Sequence, residues 1–243
     1  MKRKIAVVDG RIGEDMERAL RLGGFTVIAL PPSKRLSAPL ASHPDMLIAR
    51  LGGEYVMTAD YLEEAPFAVQ DIYDAVHPSM HFADEVHGEK YPKDVIFNSL
   101  VLGKRLYARL ESLSPYLKRL ATYLGYELVN VNQGYPACTV LKLSDEAVIT
   151  ADDGLARRLE ADGIRVYKIK TGGIDLPPYE YGFIGGCAGV YDGGVYFLGD
   201  VRLHPSYDII LDAIEREGLS FVSLGSGRLI DLGGILFADE EIN

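Results

Sequence analysis

The chain of 243 residues contains only two cysteines, Cys138 and Cys187. Two cysteines cannot build the disulfide framework of a small secreted domain, and they are typical of a reducing compartment. No apolar run approaches the roughly 20 residues that span a bilayer. The apolar stretch after Met1-Lys2-Arg3-Lys4 is too short for a signal peptide and stops at Asp9. We therefore expect a cytoplasmic protein that does not use a membrane as its partner.

Positive charge is also scarce. The 25 lysines and arginines stand against 35 aspartates and glutamates, so the formal net charge is −10. Nucleic acid requires a basic face for its phosphates, and we do not expect it as a partner. Negative charge favours a small cationic molecule through electrostatic steering, although solubility alone also explains it. A homo-oligomer is left open by the sequence.

One sequence motif, a glycine followed by a short apolar segment, occurs four times. The copies begin at Gly24, Gly125, Gly163 and Gly218, and each follows an amphipathic stretch. Self-similarity at intervals of roughly 35–50 residues is typical of stacked supersecondary units. The pattern predicts a symmetric α/β repeat protein rather than an ordinary doubly wound sheet.

The clearest repeat unit covers residues 139–169. Thr139–Leu143 and Ala147–Thr150 predict a hairpin, and Gly163 predicts the end of an amphipathic helix that an aspartate caps. Ile164–Ile169 predicts the closing strand, so the unit is ββαβ. Further hairpins are predicted near residues 95–107, near residues 188–198 and at residues 46–57, where residues 46–49 form the first strand.

The two ends of the chain predict incomplete units. Residues 15–30 indicate a helix and a strand without a preceding hairpin, whereas residues 229–238 indicate a hairpin with no helix after it. We expect the final hairpin 229–238 to complete the N-terminal unit, so that residues 1–243 form a single domain. Five ββαβ units then close into a ring, a pseudo-symmetric propeller that protects every sheet edge.

In such a ring, the loops that lead into the first strand of each unit converge near one axis. A thiolate at this place attacks an electrophilic carbon, a histidine transfers protons, and carboxylates hold a cation. Glycines let the backbone come close to a ligand. We predict that Cys138, His43 and Asp45 are catalytic. The predicted substrate-binding residues are Asp94, Asn98, Gly134, Tyr135, Gly185, Gly186 and Asp231.

Each of these predictions has a structural alternative. Cys138 also fits a small buried residue at the start of a strand, and His43 fits a loop histidine satisfied by Asp45. The acidic partner of His43 is not assigned, because Asp9, Asp94 and Asp231 all qualify. A lowered pKa of the Cys138 thiol would indicate a nucleophile, and an ordinary thiol would indicate a binding protein. Cys187, in a glycine-dense turn, is expected to be structural.

Two other patterns raise the question of a metal or a cofactor. His77 and His81 have i, i+4 spacing, which would place them on one helix face, and His87 follows. No further cysteine or histidine pair follows at a zinc-like spacing, so we predict no metal and interpret the segment as an irregular insertion. The glycine-rich segment 185–189 lacks the Lys-Ser/Thr of a phosphate loop, and we predict no cofactor.

The fivefold ββαβ pattern resembles the pentein fold of the guanidino-group-modifying enzymes, which include arginine and agmatine deiminases, dimethylarginine dimethylaminohydrolase and the amidinotransferases. Gly134-Tyr135-Pro136-Ala137-Cys138-Thr139 is similar to the glycine-rich segment that carries the family's nucleophile, and His43-Pro44-Asp45 is similar to its His-x-Asp. Residues 132–138 and 182–186 also resemble an uncharacterised bacterial family of this fold. The resemblance implies a cysteine nucleophile, a histidine acid/base and a guanidine or amidine substrate.

The chain departs from that pattern in two ways. The unit order is circularly shifted, because more chain follows the Cys138 unit, and the Glu-Gly-Gly substrate loop has no copy here, since Phe183-Ile184-Gly185-Gly186 lacks the acid. The implied function is a cysteine-dependent hydrolase of C–N bonds in a guanidine- or amidine-like small molecule. The alternatives are a non-catalytic binding protein, since the fold also serves as a ribosome anti-association factor, and a metal-dependent hydrolase that uses the His77 region.

Overall fold

The computed structural model describes residues 2–76 and 79–241 as a mixed α/β fold. The strands are β1 (Lys2–Asp9), β2 (Phe25–Leu30), β3 (Ala49–Leu51), β4 (Glu54–Thr58), β5 (Met80–Ala83), β6 (Leu100–Leu102), β7 (Arg105–Ala108), β8 (Glu127–Asn130), β9 (Val140–Lys142), β10 (Ala147–Thr150), β11 (Arg165–Lys168), β12 (Ile174–Asp175), β13 (Ala188–Tyr191), β14 (Gly194–Phe197), β15 (Ser220–Ser223), β16 (Leu229–Ile230) and β17 (Leu236–Glu241). The helices are α1 (Glu14–Leu22), α2 (Pro44–Leu47), α3 (Ala59–Glu64), α4 (Pro66–Val76), α5 (Pro115–Tyr123), α6 (Pro136–Thr139), α7 (Asp153–Ala161) and α8 (Tyr207–Arg216), with short 3-10 turns at Gly185–Cys187 and Val201–Leu203.

Five three-stranded sheets share one pattern within the described residues. Their strand orders are β17-β1-β2, β3-β4-β5, β6-β7-β8, β9-β10-β11 and β13-β14-β15. In each sheet the middle strand pairs antiparallel with the first strand and parallel with the third. A parallel pair needs a crossover connection, and the helices between the second and third strands supply it.

The apolar stripes predicted for the helices are buried against these sheets. On α7 the stripe consists of Leu155, Ala156 and Leu159, and Asp152 caps the helix by accepting a hydrogen bond from the Leu155 amide at 2.7 Å. Because packing of one apolar face supplies most of a helix's stability, the stripe fixes which face of α7 covers its sheet.

The expected hairpin over residues 229–238 is wrong. β17 pairs antiparallel with β1, but β16 pairs with β12 in a separate two-stranded sheet. In the turn between β16 and β17, the backbone amides of Leu232 and Gly234 do not form the hydrogen bonds of a hairpin. Both donate to the carbonyl of Gly186, at 2.9 and 2.7 Å. These backbone bonds attach the turn to the segment before β13 instead of closing a hairpin.

Two of the predicted first strands begin with a helical turn instead. Met46 and Leu47 lie in α2, and Thr139 lies in α6. Pro44 and Pro136 occupy the first position of these turns, where the fixed φ of proline suits a helix and its missing amide donor costs nothing. His43 therefore precedes one turn, and Cys138 lies inside the other.

The segment predicted as an irregular insertion is partly regular, since α3, α4 and β5 lie between residues 59 and 83. His81 lies in a strand, so it does not share a helix face with His77, which is outside the described residues. In residues 2–76 and 79–241, none of the helices combines the length and apolar character needed to cross a membrane.

Candidate active site

One cavity of about 310 Å³ is lined by both Cys138 and His43. Asp231, which directly follows β16, lines the same cavity. The other lining residues are mainly apolar or aromatic: Leu40, Tyr135, Leu176, Tyr179, Glu180, Tyr181 and Phe183. Segments that are far apart in the chain thus bring a thiol, an imidazole and a carboxylate to one small space.

His43 is fully buried among three carboxylates. Its Nε2 lies 3.8 Å from Asp9 Oδ2, and its Nδ1 lies 3.9 Å from Asp231 Oδ1 and 4.0 Å from Asp45 Oδ1. No described group comes within hydrogen-bond reach of either ring nitrogen. Burial lowers the pKa of His43 to about 4. The negative charge of Asp9 opposes this shift, and the positive charge of Arg11 adds to it. The ring is therefore neutral at pH 7 and is able to accept a proton from a ligand.

Asp9 is paired with Arg11. The guanidinium binds both carboxylate oxygens, with Nε at 2.9 Å from Oδ1 and Nη2 at 2.6 Å from Oδ2. Arg11 also donates to the carbonyls of Ala38 and Pro39. A bidentate pair of this kind holds the carboxylate in one orientation, so Asp9 presents a fixed edge to His43.

Cys138 is buried beside Asn98. The Asn98 Nδ2 donates to Cys138 Sγ at 3.1 Å, and Asn98 Oδ1 accepts a hydrogen bond from the Ala137 amide at 2.9 Å. Burial raises the pKa of the Cys138 thiol, and the carboxylates of Asp45 and Asp231 raise it further, while Asn98 opposes them. The thiol therefore does not have the lowered pKa of an activated nucleophile, because two negative charges and little solvent surround the sulfur.

Asp45 and Asp231 differ in how they are held. Asp231 accepts from the Phe183 amide at 2.8 Å and from the Gly233 amide at 3.1 Å, whereas neither oxygen of Asp45 has a hydrogen-bond partner of normal geometry among the described residues. Burial raises the pKa of Asp231 to about 6, and burial together with Asp231 raises that of Asp45 to about 7. Asp45 also lines a separate cavity of about 180 Å³ instead of the one that Cys138 and His43 line.

The Asp45 carboxyl predicts a pH-dependent stability. Its folded pKa of about 7 exceeds the ordinary value of 3.8, so the folded protein binds the proton more tightly and loses stability as pH rises through this range. We expect Asp45→Asn to gain stability relative to wild type between pH 5 and pH 8, by on the order of 2 kcal/mol. Urea unfolding of both proteins at the two pH values measures this difference, and a difference that does not change with pH would contradict it.

Asp94, Asn98 and Gly134 were predicted to bind substrate, but they do not line this cavity. They contact residues that line it or lie next to such residues. Asp94 accepts a hydrogen bond from the Tyr135 hydroxyl at 2.6 Å, and Asn98 binds the Cys138 sulfur. Gly134 packs against the ring of Tyr91, where a Cβ atom would collide with it. Asp94 and Asn98 therefore hold Tyr135 and Cys138 in position.

Gly185 and Gly186 also approach protein atoms rather than open space. A Cβ atom on Gly185 would lie 2.5 Å from the Val140 carbonyl oxygen and 2.7 Å from that of Cys138. On Gly186 it would lie 2.7 Å from Asp231 Oδ2 and closer to other atoms of that carboxylate. These glycines let three segments of the chain come close together, and their contact with a ligand stays a prediction.

Several site residues escaped the sequence analysis. Gly233 has φ = 71° and lies so close to His43 that a Cβ atom would be 2.7 Å from the His43 Cα. In the sequence, the Gly233-Gly234 pair indicated only a hairpin turn. In the structure, Gly233 also leaves space for His43, because a residue with a Cβ atom would collide with it. The segment from Leu176 to Phe183 carries half of the cavity lining, and of these lining residues only Phe183 lay in a motif that the sequence analysis had named.

Two of the three histidines of the metal hypothesis, His81 and His87, have protein partners. His81 lies 2.8 Å from Glu54 Oε2 and 3.1 Å from the Tyr116 hydroxyl, while His87 Nε2 lies 2.8 Å from the Met46 carbonyl oxygen. In the part of the chain that the structure describes, which leaves out His77, no group of three His, Cys, Asp or Glu residues is arranged to hold a metal ion.

The fold is that of known guanidino-group enzymes. It matches an adduct of dimethylarginine dimethylaminohydrolase with 4-chloro-2-hydroxymethylpyridine at a TM-score of 0.58 and 12% identity over 93% of each chain. A cysteine-to-serine variant of that enzyme from Pseudomonas aeruginosa, complexed with citrulline, matches at 0.54 and 12% over 92% of each chain. An inosamine-phosphate amidinotransferase from Streptomyces griseus matches at 0.53 and 14%, over 91% of this chain and 81% of its own.

At identities this low, these structures show that the chain shares the fold of these enzymes and no more. More narrowly, the chain belongs to a family of unknown function, DUF6873, whose sequence pattern covers residues 7–236. Comparison of the sequence with curated proteins gives no match.

Proposed function

We propose that the protein is a cysteine-dependent hydrolase that breaks a C–N bond of a guanidine- or amidine-like small molecule. The observation that carries the proposal is that Cys138, His43 and Asp231 line the same cavity in a chain with the pentein fold. We also infer that the five sheets close into a propeller and that the unit order is circularly shifted relative to the enzymes of this fold. The pairing of β17 with β1 supports closure of the ring.

A planar cation brings positive charge to the acidic side of the cavity. Positive charge beside Asp231 and Asp45 offsets the two charges that raise the pKa of the Cys138 thiol. A bound guanidinium therefore favours the thiolate that attacks its own central carbon. His43, which is neutral and has no hydrogen-bond partner among the described residues, is available to accept the thiol proton.

The chemical steps then follow from the residue types. The thiolate forms a C–S bond to the central carbon, and the proton on His43 passes to the departing nitrogen as the C–N bond breaks. His43 next removes a proton from water, which attacks the same carbon. The C–S bond breaks, a urea- or amide-type product leaves, and the sulfur regains its proton. Asp231 holds the cation in this scheme, and Asp45 stabilises it from behind Cys138.

The second candidate is a non-catalytic binding protein of the same fold. The observation that favours it is the burial of Cys138, which is 2% exposed, together with the raised pKa of its thiol. In that case Cys138 is an ordinary buried thiol, and no cation activates it.

A thiol titration separates the two candidates. We expect millimolar methylguanidine to lower the pKa of Cys138 by at least about one unit, because an opposite charge at close range favours the ionised form. Ultraviolet absorbance of the thiolate measures this in Cys187→Ser protein, in which Cys138 is the one remaining thiol. Tetramethylammonium at equal concentration controls for ionic strength. Identical titration curves in the two salts would favour the binding protein.

A further inference from the structure

Among the described residues, the charged side chains that line the Cys138 cavity are acidic. Its acidic side chains are Asp231 at the buried end and Glu180 at the exposed end, and no lysine or arginine occurs among the described residues that line it. Apart from Cys138 and His43, the other lining residues are aliphatic or aromatic. A ligand carboxylate would therefore meet repulsion and find no cation to pair with.

Arg11, a cation that acts on Asp231, is already engaged. Arg11 influences Asp231 electrostatically, but its guanidinium is held by both oxygens of Asp9 and by the carbonyls of Ala38 and Pro39. Moving Arg11 to a ligand would leave the Asp9 carboxylate buried without its partner, which is strongly unfavourable. Arg11 is therefore not free to bind an acidic tail.

Aromatic rings line the same cavity as Asp231 and Glu180. The rings of Tyr135 and Phe183 are stacked with an interplanar angle of 28° and centroids 6.5 Å apart, and Tyr181 meets Phe183 edge-on. The Phe183 amide fixes Asp231, so an acidic edge and aromatic faces adjoin at this end. Flat cations such as guanidinium bind well to such combinations, and alkyl chains pack on the remaining apolar wall.

The exposed end is formed by the segment from Leu176 to Phe183. Leu176 and Tyr179 form an isolated antiparallel bridge, and the Tyr179 amide donates to the Leu176 carbonyl at 2.8 Å, which turns Glu180 and Tyr181 towards the cavity. Tyr179 and Tyr181 remain 50% and 39% exposed. This segment holds one carboxylate between two aromatic side chains at the mouth, an arrangement that suits a second cationic group.

We propose that the substrate is an alkylguanidine or alkylamidine whose tail ends in an amine and carries no carboxylate, and that Glu180 selects it. This inference rests on the proposed function, because it assumes that the guanidinium end lies beside Asp231. Glu180 acts as a specificity residue that binds the far end of the molecule, away from the reacting carbon.

Three ligands that differ only at the tail test the selection: butylguanidine, its ω-amino analogue and its ω-carboxy analogue. Binding is measured by calorimetry on full-length Cys138→Ser protein, which prevents turnover. We expect the ω-amino compound to bind at least about threefold tighter than butylguanidine and about tenfold tighter than the ω-carboxy compound, as partly exposed ion pairs allow. Glu180→Gln should bring the first ratio close to one, and Glu180→Arg should make the ω-carboxy compound the tightest.

Glu146→Gln is the matched control, since it removes the same charge from an exposed turn outside the cavity and should leave all ratios unchanged. Equal binding of the three compounds, or ratios unaffected by Glu180→Gln, would overturn the inference and leave the guanidine site standing. Failure of all three to bind at millimolar concentration would overturn the proposed function and the inference with it.

Discussion

Cys138→Ser should abolish hydrolysis of guanidines while Cys187→Ser leaves it within about twofold of wild type. Both cysteines are buried in short turns that precede the first strand of a sheet, but only Cys138 lines the cavity with His43. Cys187 instead donates its thiol hydrogen to the Ile184 carbonyl at 3.3 Å, a bond that a serine hydroxyl retains. Removing a nucleophile typically costs on the order of a thousandfold or more in rate.

The measurement is release of ammonia or amine, with detection of a urea-type product, across a panel of alkylguanidines and amidines. Circular dichroism of both variants establishes that they fold. Equal rates in the Cys138 and Cys187 variants would rule out the thiol mechanism, since background hydrolysis would then account for the product.

Gly185→Ala should destabilise the protein by on the order of 3 kcal/mol, the upper range for overpacking. The added methyl group would meet carbonyl oxygens of α6 and of the first residue of β9, and backbone atoms cannot rotate away as a flexible side chain can. The turn that carries Cys138 must therefore shift. For a chain of this size the expected fall in Tm is about 6–12 °C.

Gly53→Ala is the control for that experiment. Gly53 lies in the β3–β4 turn, has no atom within 4 Å of the position of an added Cβ, and does not have a positive φ. We expect its Tm to remain close to that of wild type, and similar Tm values for the two alanine variants would show that the close approach at Gly185 is not restrictive.

Local signals account for what the sequence predicted well. The helix and strand predicted within residues 15–30 are observed as α1 and β2, and the aspartate predicted to cap the helix of the clearest unit is Asp152, because alternation and capping act within a few residues. The helical turns at α2 and α6 were missed because each is only four residues long and leads almost directly into a strand, and the proline at its first position favours the helical backbone.

The site was predictable where repeat symmetry applied and unpredictable elsewhere. The loops expected to converge include those of Cys138, His43 and Asp231, which line one cavity, while their chemical roles remain predictions. Glu180 and Leu176 lie outside the repeat, so no spacing rule could place them. The contacts of the Asn98 amide with Cys138 and Ala137 depend on packing over long sequence distances, so the sequence did not indicate them, and the contact of Asn98 with substrate stays a prediction.

The pairing of β17 with β1 has a consequence for biosynthesis. Lys2 lies opposite Glu241, so this sheet joins the earliest and latest translated parts of the described chain. Asp9, at the end of β1, faces His43 across the site. A nascent chain on the ribosome therefore holds an unfinished first sheet until its last strand emerges, and contacts of such high contact order form late in folding. The cavity that Cys138 and His43 line should thus form only after translation of β17.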